Sequence, residues 1–161
     1  MSEPWLVAAD HPILRARARE LTDRERAHVA DGLIERLFVV MLKASGAGLA
    51  APQIGESLRV FVMGRDSFVN PVITHRSAET DVEEEGCLSL PGTLVAVRRN
   101  VSVTVRTAGA IHKLTGMPAR IAQHEIDHLN GVLFIDYLTK LKRDRVVKKF
   151  TKAQKLAKSG A

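Results

Sequence analysis

The hexapeptide QHEIDH, residues 123–128, decides how this chain is read. His124 and His128 stand four positions apart, so on a helix their side chains leave one face and can bind a common metal ion, with Glu125 beside them. The flanks carry helix punctuation. Pro118 is tolerated in a first turn that opens near Met117, and Asn130-Gly131 closes the segment. With six histidines in the chain, chance would produce His-Glu-x-x-His only about 0.01 times per chain of this composition. Two unrelated histidines stay open as the alternative until a third ligand is found.

A catalytic ion of this kind takes three protein ligands and keeps one position for water. One class of metalloprotease supplies a histidine ten residues after the first, but here that position is Phe134, which cannot ligate. Only Asp136 and Asp144 follow as acids. Cys87, inside EEEGCLSLPG at 83–92, is the better candidate. A lone cysteine is usually a small buried hydrophobe, and the helix histidines reverse that reading.

Outward from these residues, 161 residues with 45% hydrophobic and 26% charged side chains make one compact domain over 1–161 and exclude disorder as the main state. One cysteine allows no internal disulfide and suits a reducing compartment. The start, MSEPWLVAADHP, has no basic leader followed by an apolar stretch, and the longest apolar run is six residues at 37–42. The expectation is a soluble, cytoplasmic chain without a membrane partner. Net charge is +6, yet residues 140–161 hold nine Lys or Arg against Asp144 alone. A basic tail on a near-neutral body points to a polyanionic partner, with a solvated lysine-rich helix as the bland alternative.

Thr22 and Glu25 make a capping box for a helix whose apolar face runs through Val29, Leu33, Ile34, Leu37, Phe38, Met41 and Leu42 until Ser45-Gly46. Residues 46–55, GAGLAAPQIG, have no period and are read as a loop with one close approach. Residues 59–63, 93–97 and 101–106 are read as strands, with a turn at Asn70-Pro71. Residues 132–138 fit strand or loop. A third helix is expected over about 142–158, with Val146, Val147, Phe150 and Leu156 as a thin apolar stripe.

Three blocks together, GAGLAAPQIG at 46–55, EGCLS at 85–89 and QHEIDH at 123–128, resemble the signature motifs of the peptide deformylases, in order. The resemblance implies an α+β domain in which mostly antiparallel strands surround a central metal-binding helix, with a basic C-terminal helix. It implies Cys87, His124 and His128 as ligands, with Fe(II) as the usual ion and Zn(II) or Ni(II) able to replace it. It implies that Glu125 is general base and then acid for water attacking the formyl carbon of an N-formylmethionyl nascent peptide. The Leu88 N–H and the Gln53 amide would stabilise the oxyanion. Gly48 would let the substrate backbone come close, and Ile121 and Met117 would line the methionine pocket, with core packing as their ordinary alternative.

Glu83 and Glu84 are read as a solvated run, whereas Glu85 pairs by resemblance with Arg99 and holds the cysteine loop. Residues 63–68 and 108–115 look shorter than in common bacterial members, and Leu94 stands where many of those place an arginine toward the substrate backbone. The tail is similar to the helix by which bacterial members dock on the ribosome. Three rivals stay open: a metalloprotease, a specialised deformylase for another N-formyl substrate, and a non-catalytic ribosome- or RNA-binding domain with a structural metal. Glu125 argues against the last, because a closed structural site has no use for an unligated carboxylate.

Overall fold

The computed structural model describes residues 5–28 and 30–159. Its helices are α1 (Asp23–His28), α2 (Ala30–Lys43), α3 (Met117–Leu129) and α4 (Lys140–Ser159). Its strands are β1 (Gly48–Ala50), β2 (Val60–Met63), β3 (Asp66–Val69), β4 (Val72–Arg76), β5 (Thr80–Glu85), β6 (Val95–Asn100), β7 (Ser102–Arg106) and β8 (Ile111–Thr115). They form three groups, β1-β2-β3, β4-β7-β8 and the ribbon β5-β6, and every strand pair is antiparallel. Helix α3 packs against β1, β2, β6 and β8, so the expected α+β arrangement of antiparallel strands around a helix is what the chain forms.

The Thr22–Glu25 capping box is present: the Thr22 N–H donates to Glu25 and the Glu25 N–H donates to the Thr22 hydroxyl. On α2, Leu33, Leu37 and Met41 are buried at helical spacing, each contributing about 1.5–3 kcal/mol of apolar burial. Leu42, read with that face, is instead 70% exposed, because it lies just off the stripe. Val29 lies outside the described residues.

The structure changes or refines the local expectations. The stretch 46–55 is not a loop throughout: Leu49 pairs with Val62 and Ala50 with Phe61 in β1, and a 3-10 turn follows over Ala51–Ile54. The strand expected over 93–97 is β6, Val95–Asn100, because pairing of Thr80 with Asn100 and Glu85 with Val95 sets its ends. That partner, β5, includes the acidic run, and residues 111–115, inside a stretch read as short, form β8. Residues 132–138 contain a 3-10 turn, Phe134–Tyr137. The other stretch read as short, 63–68, is a tight hairpin in which Met63 opposes Asp66 across Gly64-Arg65.

Helix α3 ends where expected. Gly131 has φ of 74°, and a Cβ there would lie 2.7 Å from the Arg15 carbonyl, so a side chain is excluded on both counts. One apolar cluster joins α3 to the sheets, with Phe61 and Phe68 stacked at 4.3 Å. A second lies under α2, and a third links the Cys87 loop to Phe134, Val146 and Phe150. Only half of the α4 stripe is used, since Val147 and Leu156 are exposed. Among the described residues no helix is long and apolar enough to cross a membrane.

Candidate active site

The Sγ of Cys87 and one ring nitrogen each of His124 and His128 lie within 4.8 Å of one another, and Cys87 and His124 line a cleft of about 720 Å³. Helix α3 provides the histidines from successive turns, their rings 4.9 Å apart and edge to face. Cys87 arrives from the turn after β5, closed by the Leu90 N–H on the Cys87 carbonyl at 3.0 Å. Its sulfur is 3.3 Å from His128 Nε2. Atoms about 2.3 Å and 2.0 Å from a shared tetrahedral ion stand about 3.5 Å apart, so this donor set fits a four-coordinate metal.

The two imidazoles differ in their surroundings. His124 Nδ1 lies 3.0 Å from Glu85 Oε2, which leaves its Nε2 turned toward the cluster. Burial works against a charge on His124, but its contacts with Cys87 and Glu85 outweigh it and lift the group to about 10 in the metal-free chain. His128 is driven well below its ordinary value by burial and by the neighbouring His124 and Arg99 charges. A neutral imidazole is the form that ligates a cation, and the proton held on His124 is what a cation would displace.

Glu85 itself is held low, to about 2: burial opposes its charge, but hydrogen bonds from Arg99 and His124 prevail. Arg99 donates Nε to Oε1 at 2.8 Å and its second amino group to Oε2 at 2.9 Å, a bidentate pair within the hairpin β5-β6. Its remaining amino group reaches Asp127 at 2.6 Å and the Tyr137 hydroxyl at 3.1 Å.

Glu125 is buried on the cleft side of α3, and its Oε2 has no hydrogen-bond partner among the described residues. Burial is the main force on it and raises it to about 7, against the pull of the His124 charge. A carboxyl poised there can take and return a proton near neutrality. Gln53 accepts the Ala50 N–H through Oε1 and aims Nε2 at Cys87 Sγ (3.6 Å) and Ser89 Oγ (3.3 Å), so the 3-10 turn after β1 points its amide into the floor. Leu88 occupies the middle of the Cys87 turn, where the turn's own hydrogen bond does not use its N–H.

Gly48, Ile121 and Met117 line the same cleft, with Met117 at the rim and 55% exposed. A Cβ at Gly48 would lie 2.7 Å from Glu125 Oε1 and 2.9 Å from Ile121 Cγ2, so a side chain there would also strike the buried carboxyl. Leu94 is 66% exposed, beside Gly86. Glu83, read as solvated, is 3.6 Å from Arg120 Nε. Arg120, Asp127, Tyr137 and Ser89 are site neighbours not singled out from sequence. One signal existed: Arg120 precedes His124 by one helical turn, and a cation on that buried face requires a carboxylate.

Comparison with known proteins finds matches over most of the chain. The family model described as polypeptide deformylase matches residues 4–144. A peptide deformylase of Afipia carboxidovorans is 50% identical over 139 residues, covering 78% of this chain and 81% of that protein. The crystal structure of a peptide deformylase from Ehrlichia chaffeensis in complex with actinonin superposes with a TM-score of 0.88 at 33% identity, covering 95% of this chain and 98% of that one. A class I type b peptide deformylase from Acinetobacter baumannii with Met-Ala-Ser bound gives 0.77 at 32% identity, covering 86% and 100%.

Proposed function

The chain belongs to the polypeptide deformylase family of hydrolases, and we propose that it removes the N-formyl group from the initiator methionine of nascent polypeptides, releasing formate. The observation that carries this reading is the Cys87, His124 and His128 triad beside a Glu125 oxygen with no partner among the described residues, with Cys87, His124 and Glu125 lining one cleft. The Acinetobacter baumannii neighbour, whose bound Met-Ala-Ser begins with methionine, supports the substrate class. The whole of 1–161 acts as one domain with a basic C-terminal helix.

In this reading Cys87, His124 and His128 hold one divalent ion. A thiolate with two imidazoles suits Fe(II), with Zn(II) or Ni(II) able to use the same donors. Such an ion polarises the formyl carbonyl and acidifies water beside it. Glu125 removes the proton from the attacking water and hands it to the leaving amine, a double role that its position near 7 supports. The Gln53 amide and the Leu88 N–H bind the oxyanion that develops on the formyl oxygen; one such donor is worth about 10²-fold or more in rate. Gly48 keeps Glu125 free of contact, and Ile121 and Met117 give the methionine side chain an apolar wall. Docking on the ribosome through α4 would place this chemistry beside emerging chains.

Formate release from an N-formylmethionyl peptide, with protein prepared anaerobically with Fe(II), tests the reading beside Glu125→Gln. Expected is turnover in the parent and a loss of 10²-fold or more in the variant with metal content kept. A folded, metal-loaded parent that releases no formate overturns it.

A further inference from the structure

The metal ligands come from two bodies that share no strand ladder. Cys87 follows the two-stranded β5-β6 ribbon, and the histidines ride on α3. What joins them is a buried row of charge. Arg120, on α3 and 4% exposed, donates one amino group to Glu85 Oε1 and to the Val97 carbonyl, each at 2.9 Å. Its other amino group engages the Asp81 carboxylate at the start of β5. Arg99 grips the same Glu85 from β6. Glu85 Oε1 therefore receives an arginine from each side, and Oε2 receives Arg99 and faces His124 Nδ1. Arg99 grips the carboxylate from its own hairpin and reaches α3 only through Asp127. Arg120, one turn from His124, is the arginine of α3 that bonds Glu85 directly.

We infer that Arg120 is a positioning residue of the metal centre: by clamping Glu85 from the α3 side, it sets the oxygen that orients the His124 imidazole and the distance of Cys87 from both histidines. This rests on the metal-dependent reading above. Partners of a ligand's outer nitrogen change metal affinity by about 10- to 100-fold, and Arg120 acts one bond further out while holding both halves of the site. Asp81, half-exposed, serves as the outer anchor that keeps Arg120 extended.

The test uses the full chain loaded with Zn(II) and follows zinc release to an excess of chromophoric chelator in Arg120→Met, Arg120→Lys and Asp81→Asn. The Nδ1–H proton resonance of His124 is recorded alongside. Arg120→Met is expected to release zinc at least about 10-fold faster and to shift that resonance, with Arg120→Lys recovering part of both because one ammonium reaches Glu85 but cannot span to Asp81. Loss of stability alone would leave the resonance of the folded fraction in place. Parent-like zinc release with an unmoved resonance in Arg120→Met overturns the inference. If Arg120→Met does not fold, parent-like release in both Arg120→Lys and Asp81→Asn overturns it equally. A parent that releases formate while the variants keep their zinc refutes this role alone; a parent that never binds zinc, iron or nickel refutes the site reading with it.

Discussion

At the scale of single residues, the cleft sets two buried acids in opposite states. Arg99 and His124 hold Glu85 down to about 2 despite its burial, so it supports the fold above the ordinary carboxylate range. Glu125 is pushed up to about 7 by burial, so it does the reverse. Below its ordinary value of 4.5 Glu125 is protonated in both folded and unfolded chains and contributes nothing. Between there and about 7 the unfolded chain ionises while the folded chain does not, so stability falls as pH rises, and above 7 the whole loss persists. The size is about 3 kcal/mol at most. Glu125→Gln in the metal-free chain should therefore be more stable than the parent by about 1–3 kcal/mol at pH 8, with the difference vanishing by pH 4. Urea unfolding at the two pH values checks it, and equal midpoints at pH 8 would show that the carboxyl is solvated. A residue that destabilises its own fold in this way is expected where a base must work near neutrality.

At the scale of elements, the contact that matters is β1 on α3. Three residues of strand place Gly48 against Glu125 and Ile121 with no room for a methyl group. Gly48→Ala should displace Glu125 and lower kcat by about 10- to 100-fold, since a shift near 1 Å in a catalytic group costs that much, while zinc retention under a chelator stays at the parent's level. A variant with the parent's kcat would mean that the strand yields instead. The same contact shows what could be read in advance. Helix α3 was legible because its signals are local: Pro118 at the start, Gly131 at the end and histidines at helical spacing between. Strand β1 was not, because Gly48–Ala50 has no alternation of its own and becomes a strand only by pairing with Phe61–Met63. Strand β5 was hidden for another reason. TDVEEE looks solvated, yet its last carboxylate turns inward to two arginines, one on β6 and one on α3, and that meeting is set by tertiary structure. The Cys87, His124 and His128 cluster and the Glu85–Arg99 pair could be named from motifs, whereas the part of Arg120 in the charge row could not.

At the scale of the whole molecule, the basic helix meets the Cys87 loop through one apolar cluster. The cleft lies on the α3 and β5 side, while α4 is anchored near its start by Val146, Phe150 and an Arg143–Asp136 contact of 3.7 Å. Beyond that anchor Lys148, Lys149, Lys152 and Lys155 are exposed, and the tail from residue 140 carries nine cations against one acid. Replacing Lys148, Lys149 and Lys152 with Glu leaves Val146 and Phe150 seated, so it removes the charge without uncovering the third apolar cluster. If α4 meets ribosomal phosphates, four to six contacts would make affinity fall on the order of 10²- to 10³-fold between 50 and 200 mM salt, and the triple replacement should abolish co-sedimentation while formate release from a free peptide stays within about twofold. Binding that ignores salt would instead assign the surface to exposed Leu141, Val147 and Leu156, an apolar contact for which the lysines are only a solvated rim. The salt slope thus separates two ways in which one helix could serve the same site, and the free-peptide assay tests whether the cleft itself needs either.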